Sequence, residues 1–324
     1  MNLSTPATGQ PNNSSQTRQG LLCALGCYAL WGSMPIYWHP MAHAPMDALQ
    51  MLSERMLWSS VLLVILLLVL RKGPALRAVL RTPRQVLLLS CSSLLIGGNW
   101  LLYVWAMVNQ HILDAGLGYF ISPLVNVALG RIIFGERLNR GQWLAMALAV
   151  IGIIWLVSRA GHIPWVALGL ALSFGLYGAL RKQIVVDALA GLAFETFLLL
   201  PIGLIWLGVC AIQDTYIFGA LDGLQKAVLI GSGVITVVPL LLYVGAARRI
   251  PLSLLGMLQY SSPTLQTLFG LLLGERLLAD QLIGYSWVWA GVLTFLLGSR
   301  MQGHRTRETA GGPDVKGRAS LPAD

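Results

Sequence analysis

The chain has 324 residues, of which 56% are apolar and 11% are charged. A soluble domain carries about 25% charged residues, so this composition excludes a water-soluble enzyme and a disordered scaffold and indicates an integral membrane protein. The net charge of +9 would suggest nucleic acid as a partner in a soluble protein. In a membrane protein basic residues flank the spans instead, so we expect the lipid bilayer as a partner and no nucleic acid.

About ten apolar segments follow one another along the chain, each near the 20 residues that cross a bilayer as an α-helix. These predicted spans 1 to 10 lie at 20–39, 46–70, 86–107, 112–134, 141–158, 163–181, 191–212, 226–247, 252–274 and 280–299. The polar ends, 1–19 and 301–324, are predicted to be disordered tails. Most lysines and arginines fall on one side of the membrane when the N-terminus is placed inside, which predicts that both termini are cytoplasmic.

The second half of the chain repeats the first half at a shift of about 140 residues. Three motifs carry the repeat: Leu-Leu-Tyr-Val at 101–104 and 241–244, Asp-Ala-Leu at 47–49 and 187–189, and Ser-Pro at 122–123 and 262–263. Each repeat contains five spans, an odd number, so the second copy enters the bilayer from the opposite side. We therefore predict an all-α polytopic membrane protein with ten transmembrane helices in two inverted five-helix repeats, at 20–159 and 160–300.

Six stretches of the sequence resemble the EamA-type permeases of the drug/metabolite transporter superfamily, and among them the RarD, or chloramphenicol-sensitive protein, family. These stretches read YALWGSMPIYW, ERMLWS, NWLLYVWAMVNQHILDAGLGYFISPLVNVALG, GERLNRGQWLAMALAVIGI, PWVALGLALSFGLYGALRK and LLGMLQYSSPTLQTLFGLLLGERL. The resemblance extends over about residues 20–300 and implies a transporter of the bacterial inner membrane. We expect a secondary permease that moves a small metabolite or drug-like solute by alternating access, with proton-coupled export as the favoured mode.

Two other classes of function fit the sequence less well than a permease. A membrane-embedded enzyme would need a catalytic motif such as HExxH or GxSxG, and a channel or receptor-like subunit would need a selectivity filter or charged ring; the sequence shows neither. The sequence also contains no GxxxxGK[ST] nucleotide-binding loop, so we do not expect ATP to drive transport through this chain. We also expect no cofactor. The four cysteines lie in apolar stretches without a Cys/His ligand set, so no metal is expected.

Ionisable side chains within the spans are candidates for function, because each costs about 2.5–3.5 kcal/mol on insertion scales. Glu54 and Arg55 lie in span 2, and Glu195 occupies the equivalent position in span 7. Either carboxylate can bind a cationic group or take up the coupling proton, and Arg55 can face an anionic group of the solute. The alternative is an ion pair, with Arg55 or Lys182, that fastens helices together.

Aromatic and polar side chains are expected to form a chamber for an amphipathic or aromatic solute, with ordinary packing as the alternative. These candidates are Trp31, Asn99, Trp100, Tyr103, Tyr119, Tyr243, Gln259 and Tyr260. Pro123 and Pro263 are equivalent in spans 4 and 9 and are candidates for a gate or hinge, or for a fixed bend. Glu136 and Glu275 are predicted to pair with nearby arginines or to cap spans 5 and 10.

Overall fold

The computed structural model describes residues 13–42, 44–109, 111–160, 164–273 and 282–295, and every regular element in these ranges is helical. The helices are α1 (Asn13–Gly32), α2 (Met34–Trp38), α3 (Ala48–Val69), α4 (Gly73–Leu80), α5 (Pro83–Val108), α6 (Ile112–Phe134), α7 (Arg140–Ala160), α8 (Trp165–Gln183), α9 (Ala188–Ile212), α10 (Gly223–Ala247), α11 (Leu252–Gln259), α12 (Ser261–Leu272) and α13 (Leu282–Phe295). The predicted all-α class is therefore confirmed for the described part of the chain.

Seven stretches of the described chain are long and apolar enough to cross a membrane, and they coincide with predicted spans 1 to 5, 7 and 8. Span 6 corresponds to α8, span 9 to the broken pair α11 and α12, and span 10 to the short α13; these do not combine the same length and hydropathy. Helix α1 begins at Asn13, inside the segment 1–19 that the sequence predicts as a tail. Residues 301–324 and Glu275 lie outside the described residues.

Aspartate caps set the start of three long helices: Asp47 caps α3, Asp187 caps α9 and Asp222 caps α10. The Asp47 carboxylate accepts from the Gln50 amide at 2.8 Å, and the Asp187 carboxylate accepts from the Leu189 and Ala190 amides at 3.1 Å. Such a cap satisfies amides that have no partner within the helix. Glu54 follows its cap by seven residues and Glu195 follows its cap by eight. The two acids are therefore one residue out of register, about 100° apart around the helix axis.

The two prolines that the sequence pairs as a gate or hinge lie in different backbone settings. Pro123 lies inside α6, which continues through it as one helix. Pro263 lies in the first turn of α12, just after the helical path breaks at Tyr260. Proline is tolerated in a first turn, because the amide that it lacks would have no helical partner there. The two halves therefore differ at this point, with a continuous helix in one and a break in the other.

Close helix contacts are made where glycine removes a side chain. A Cβ atom built on Gly152 of α7 would lie 2.8 Å from the carbonyl oxygen of Gly284 in α13. A Cβ atom on Gly291 of α13 would lie 2.7 Å from the carbonyl oxygen of Ala145 in α7. Small residues let backbones approach closely in membranes, where helix association depends on packing. Leucine or isoleucine at these glycines would therefore separate α7 from α13.

Candidate solute-binding site

A cavity of about 570 Å³ lies within the helix bundle, a volume typical of small-molecule sites. Its walls come from α1, α2, α3, α5, α6, α8, α10, α11 and α12. The cavity wall includes eight of the residues named from the sequence: Trp31, Arg55, Asn99, Trp100, Tyr103, Tyr119, Gln259 and Pro263. It also includes side chains that the sequence did not single out, among them Trp38, Phe174, Thr236 and Gln266.

Among the described residues that line the cavity, Arg55 alone carries a charge. The rings of Trp38 and Trp100 face its guanidinium carbon from 5.8 and 5.7 Å. Its Nε and Nη2 atoms each lie 3.4 Å from Oγ1 of Thr236. Cation–π contacts attract the guanidinium without neutralising it, so the cavity keeps a positive charge.

The two amide side chains of the cavity wall are engaged in contacts between helices. Asn99 donates to the carbonyl oxygen of Leu170 and to Oγ of Ser173, both at 2.9 Å. Gln259 accepts from Asn126 at 2.9 Å and donates to Ser122 at 3.1 Å. Both amides thus join helices from different halves of the chain, α5 to α8 and α6 to α11. Their hydrogen-bonding capacity is largely used within the protein.

A cluster of aromatic rings closes one end of the cavity. This cluster, which we call the aromatic floor, consists of Tyr28, Trp31, Phe174, Tyr177 and Tyr243. Trp31 and Phe174 line the cavity and contact each other edge to face at 5.6 Å. Behind them, Tyr243 stacks on Tyr177 at 6.0 Å, and both are fully buried. The Tyr28 hydroxyl donates to the carbonyl oxygen of Leu255 at 3.0 Å. Tyr243 is therefore part of this aromatic floor and does not line the cavity.

Glu54 is buried next to the cavity but is directed away from it. Its carboxylate accepts from Nε1 of Trp58 at 2.9 Å and from the hydroxyl of Tyr216 at 2.7 Å. The sequence did not single out Tyr216, which lies in the loop between α9 and α10. Burial and the Glu54 carboxylate together raise the pKa of Tyr216, which remains a neutral donor. The alternative pairing of Glu54 with Arg55 is not among the described salt bridges.

Glu195 belongs to a separate buried network beyond the aromatic floor. It pairs with Arg181 at 3.2 Å and accepts from the hydroxyl of Ser92. Arg248 adds a second cation nearby, and its pKa is lowered by burial and by the charge of Arg181. The expected alternative partner, Lys182, pairs instead with Glu136. The structure therefore buries both Glu54 and Glu195, each 1% exposed, but does not place them in one cavity.

The two remaining candidates from the sequence, Tyr260 and Pro123, also lie off the cavity wall. The hydroxyl of the buried Tyr260 donates to the carbonyl oxygen of Phe120 at 3.0 Å, which joins α11 and α12 to α6. The backbone of Pro123 contacts Gly256, where a Cβ atom would lie 2.8 Å from the Pro123 carbonyl oxygen. Both residues thus lie at the crossing between the two halves.

Comparisons with known proteins identify the family of the chain. Residues 18–158 match the EamA-like transporter family. Protein RarD of Escherichia coli strain K12 is 41% identical over 91% of this chain and 99% of its own length. Protein RarD of Salmonella typhi is 42% identical over 88% of this chain and 97% of its own length.

The chain belongs to the EamA-like transporter family, with the RarD proteins among its relatives. A third relative, the chloramphenicol-sensitive protein RarD of Pseudomonas aeruginosa, is 34% identical over 85% of this chain and 92% of its own length. A solved crystal structure with 19% sequence identity superposes with a TM-score of 0.64 and covers 88% of this chain and 98% of the other. The chain is thus a multi-pass membrane transporter of a bacterial family with a known fold.

Glu136 holds together the two halves of this transporter at the end of the bundle away from the cavity. Its carboxylate oxygens accept from the Leu252 amide at 2.7 Å and the Ser253 amide at 2.9 Å, at the start of α11. Lys182 donates to Glu136 at 3.3 Å and to the Ile250 carbonyl oxygen at 2.8 Å. Glu136 therefore caps α11, not span 5, and its ion pair is with Lys182 rather than with a nearby arginine.

The contacts of Glu136 with the start of α11 and with Lys182, which we call the Glu136 clamp, predict a pH-dependent contribution to stability. Burial alone would raise the pKa of Glu136, but hydrogen bonds from Ser253 and Leu252 and the charge of Lys182 outweigh it and lower the pKa. A lowered pKa stabilises the fold above the unfolded value of about 4.3 and loses that contribution as pH falls through the folded value. We expect Glu136→Gln to lower the thermal unfolding temperature in detergent at pH 7. The gap from wild type should shrink below pH 4.5; a gap independent of pH would contradict the clamp.

Proposed function

We propose that the chain is a secondary active transporter that moves a small solute across the bacterial inner membrane by alternating access. The cavity carries this proposal, because it is large enough for a small metabolite and is lined by helices from both halves of the chain. The aromatic floor and the Glu195 network fill the bundle on the far side of it. Such an arrangement fits one conformation of a carrier that opens to one side at a time.

Helix packing supports the proposed inverted repeat of ten helices. If α1, α3 and α5 correspond to α8, α9 and α10, the contact between α1 and α10 has its equivalent in the contact between α8 and α5. The contact between α3 and α10 likewise has its equivalent between α9 and α5.

The glycine contacts between α7 and α13 are also preserved when corresponding helices of the two halves are exchanged. Gly152 meets the carbonyl of Gly284, and Gly291 meets the carbonyl of Ala145, so each residue of one contact has its counterpart in the other. Reciprocal contacts of this kind arise at a two-fold axis. A two-fold axis in the membrane plane lets each half adopt the conformation of the other, which is the basis of alternating access in inverted repeats.

The proposed orientation, with both termini cytoplasmic, makes this an outward-open conformation. The cavity is lined by the last turns of α1 and α5 and the first turns of α3 and α6, which are all external in that orientation. Ion pairs Lys72–Asp187, Lys182–Glu136 and Arg181–Glu195 then lie on the cytoplasmic side. Opening to the cytoplasm would require these pairs to separate.

Glu54 is our proposed site for the coupling proton. Its carboxylate accepts from two donors and lies one residue from the cavity cation, Arg55. Protonation turns one carboxylate oxygen into a hydroxyl and so weakens one of these two bonds. Release of Tyr216 would then detach the loop between α9 and α10 from α3. Proton exchange with a solute would drive export against its gradient.

The experiment that tests the proposed function begins with an unbiased comparison of metabolites and drugs exported by cells with and without the protein. Chloramphenicol should be among the compounds, because a relative is named a chloramphenicol-sensitive protein. The solute found in this way should enter proteoliposomes in a saturable manner and accumulate when a pH gradient is imposed. Uptake that rises linearly with concentration and ignores the pH gradient would contradict a proton-coupled carrier.

A further inference from the structure

We propose that the cavity selects a small monoanion, a carboxylate on a flat apolar or aromatic body that carries no ammonium group. This inference rests on the proposed function and names the class of solute that the cavity would take. Three features of the cavity support it: its charge, the hydrogen-bonding groups that remain free there, and the walls around them.

The charge of the cavity is a single uncompensated cation. None of the described salt bridges involves Arg55. The neighbouring carboxylate, Glu54, is occupied by Trp58 and Tyr216. A cation within the hydrocarbon region is costly unless it meets an anion or water. A solute with one negative charge would compensate Arg55, whereas a dianion would bring a second charge into the membrane without a partner.

Three side chains of the cavity wall, Arg55, Tyr103 and Tyr119, keep a donor that is free within the described residues. Nη1 of Arg55 makes no hydrogen bond within the described residues, and Thr236 is a distant partner for its other nitrogens at 3.4 Å. The hydroxyls of Tyr103 and Tyr119 also make no hydrogen bond there, although both rings line the cavity and interact electrostatically with Arg55. A planar guanidinium fork matches the two oxygens of a carboxylate.

The walls define the rest of the solute. Trp38 and Trp100 flank the guanidinium, and Trp31 and Phe174 close the far end, so a flat apolar body would lie between aromatic faces. An ammonium group would find no carboxylate among the described lining residues. An aromatic amino acid would therefore leave one of its two charges unpaired, and a burial of this kind is unfavourable. The cavity should prefer the corresponding acid without the amino group.

The test compares three probes of nearly equal shape on the purified full-length protein in detergent at pH 7.5, by isothermal titration calorimetry with empty micelles subtracted. The probes are 3-phenylpropionate, which is an anion, 3-phenylpropionamide, which is neutral, and L-phenylalanine, which is a zwitterion. Hydrogen bonds to charged groups contribute enough that the anion should bind about 10–100-fold more tightly than the amide. Phenylalanine should bind more weakly than 3-phenylpropionate by a similar factor.

Variants of Arg55 test whether this cation causes the preference for the acid over the amide. Arg55→Gln should bind acid and amide equally, whereas Arg55→Lys, which keeps the charge, should retain a preference for the acid. Arg81→Gln is the matched control, because Arg81 is exposed beyond α4 and far from the cavity wall. A monodisperse elution profile on size-exclusion chromatography establishes that each variant is folded.

Three results would overturn the inference: equal affinity for acid and amide, undiminished acid binding by Arg55→Gln, or no saturable acid binding by the folded wild type. None of these results would contradict the proposed function, which is tested separately by transport of the solute identified in cells. If the amide binds well and Trp100→Ala abolishes that binding, the cavity is still the solute site and the selected class is neutral.

Discussion

Glu195→Gln is expected to destabilise the folded protein by about 3–5 kcal/mol, the usual cost of breaking a buried ion pair from one side. Both partners are buried, with Arg181 0% and Glu195 1% exposed. Glutamine keeps the size of the side chain and can still accept from Ser92. It removes the carboxylate that compensates Arg181, so this fully buried cation would remain unpaired beside a second cation, Arg248, whose other acidic neighbour is Asp187.

The reverse substitution separates this explanation from a loss of packing. Arg181→Gln leaves Glu195 with Arg248 as a remaining cation, so it should destabilise less than Glu195→Gln. The double variant should be more stable than the sum of the two single effects predicts, because no unpaired charge from the pair remains. Thermal unfolding in detergent, followed by tryptophan fluorescence, measures all three. Equal effects of the two single variants would contradict the two-cation arrangement.

Glu54→Gln is expected to abolish accumulation of the solute under a pH gradient while leaving exchange of solute intact. A gradient of one pH unit supplies about 1.4 kcal/mol per proton, which is a tenfold accumulation for a carrier that exchanges one proton. Glutamine keeps the size of the side chain and accepts a hydrogen bond, but it cannot take up the proton. The ratio of internal to external solute in proteoliposomes should therefore fall from about ten to about one.

The matched control is Asp214→Asn, in the same loop as Tyr216. Asp214 is exposed and has a positive φ of 54°, a backbone conformation that asparagine also tolerates. This variant removes a carboxylate two residues from Tyr216 but leaves the bonds of Glu54 in place, so it should accumulate solute as the wild type does. Wild-type accumulation by Glu54→Gln would exclude Glu54 as the coupling site and direct attention to Glu195.

Hydropathy predicted the long helices well, because each crosses the bilayer with apolar side chains of its own. It did not predict the break at Tyr260, where eight residues of α11 end and a new helix begins. It also did not predict α4, an eight-residue helix between spans 2 and 3 that packs Val79 against Ile184 and Ala190. Both features depend on contacts with distant helices, which a pattern within one segment does not contain.

The candidate site was likewise predicted only in part from the sequence. Aromatic residues and a charge inside predicted spans identified much of the cavity wall, including Arg55 and Trp100. The partners of the two acids were missed, because Tyr216 and Arg181 come from other elements of the chain. Arg181 is adjacent to the expected partner Lys182, and the helical turn alone decides which of the two faces Glu195. The sequence repeat thus located one acid in each of two corresponding helices, without revealing that their surroundings differ.

Counterflow is the measurement that tests alternating access most directly. Proteoliposomes are loaded with a high concentration of the unlabelled solute identified in cells and are then diluted into a trace of labelled solute without a pH gradient. A carrier that exposes one site to each side in turn predicts a transient internal excess of label above equilibrium. Glu54→Gln should retain this overshoot. A monotonic approach to equilibrium by active wild-type protein, with no overshoot, would contradict alternating access and indicate a channel.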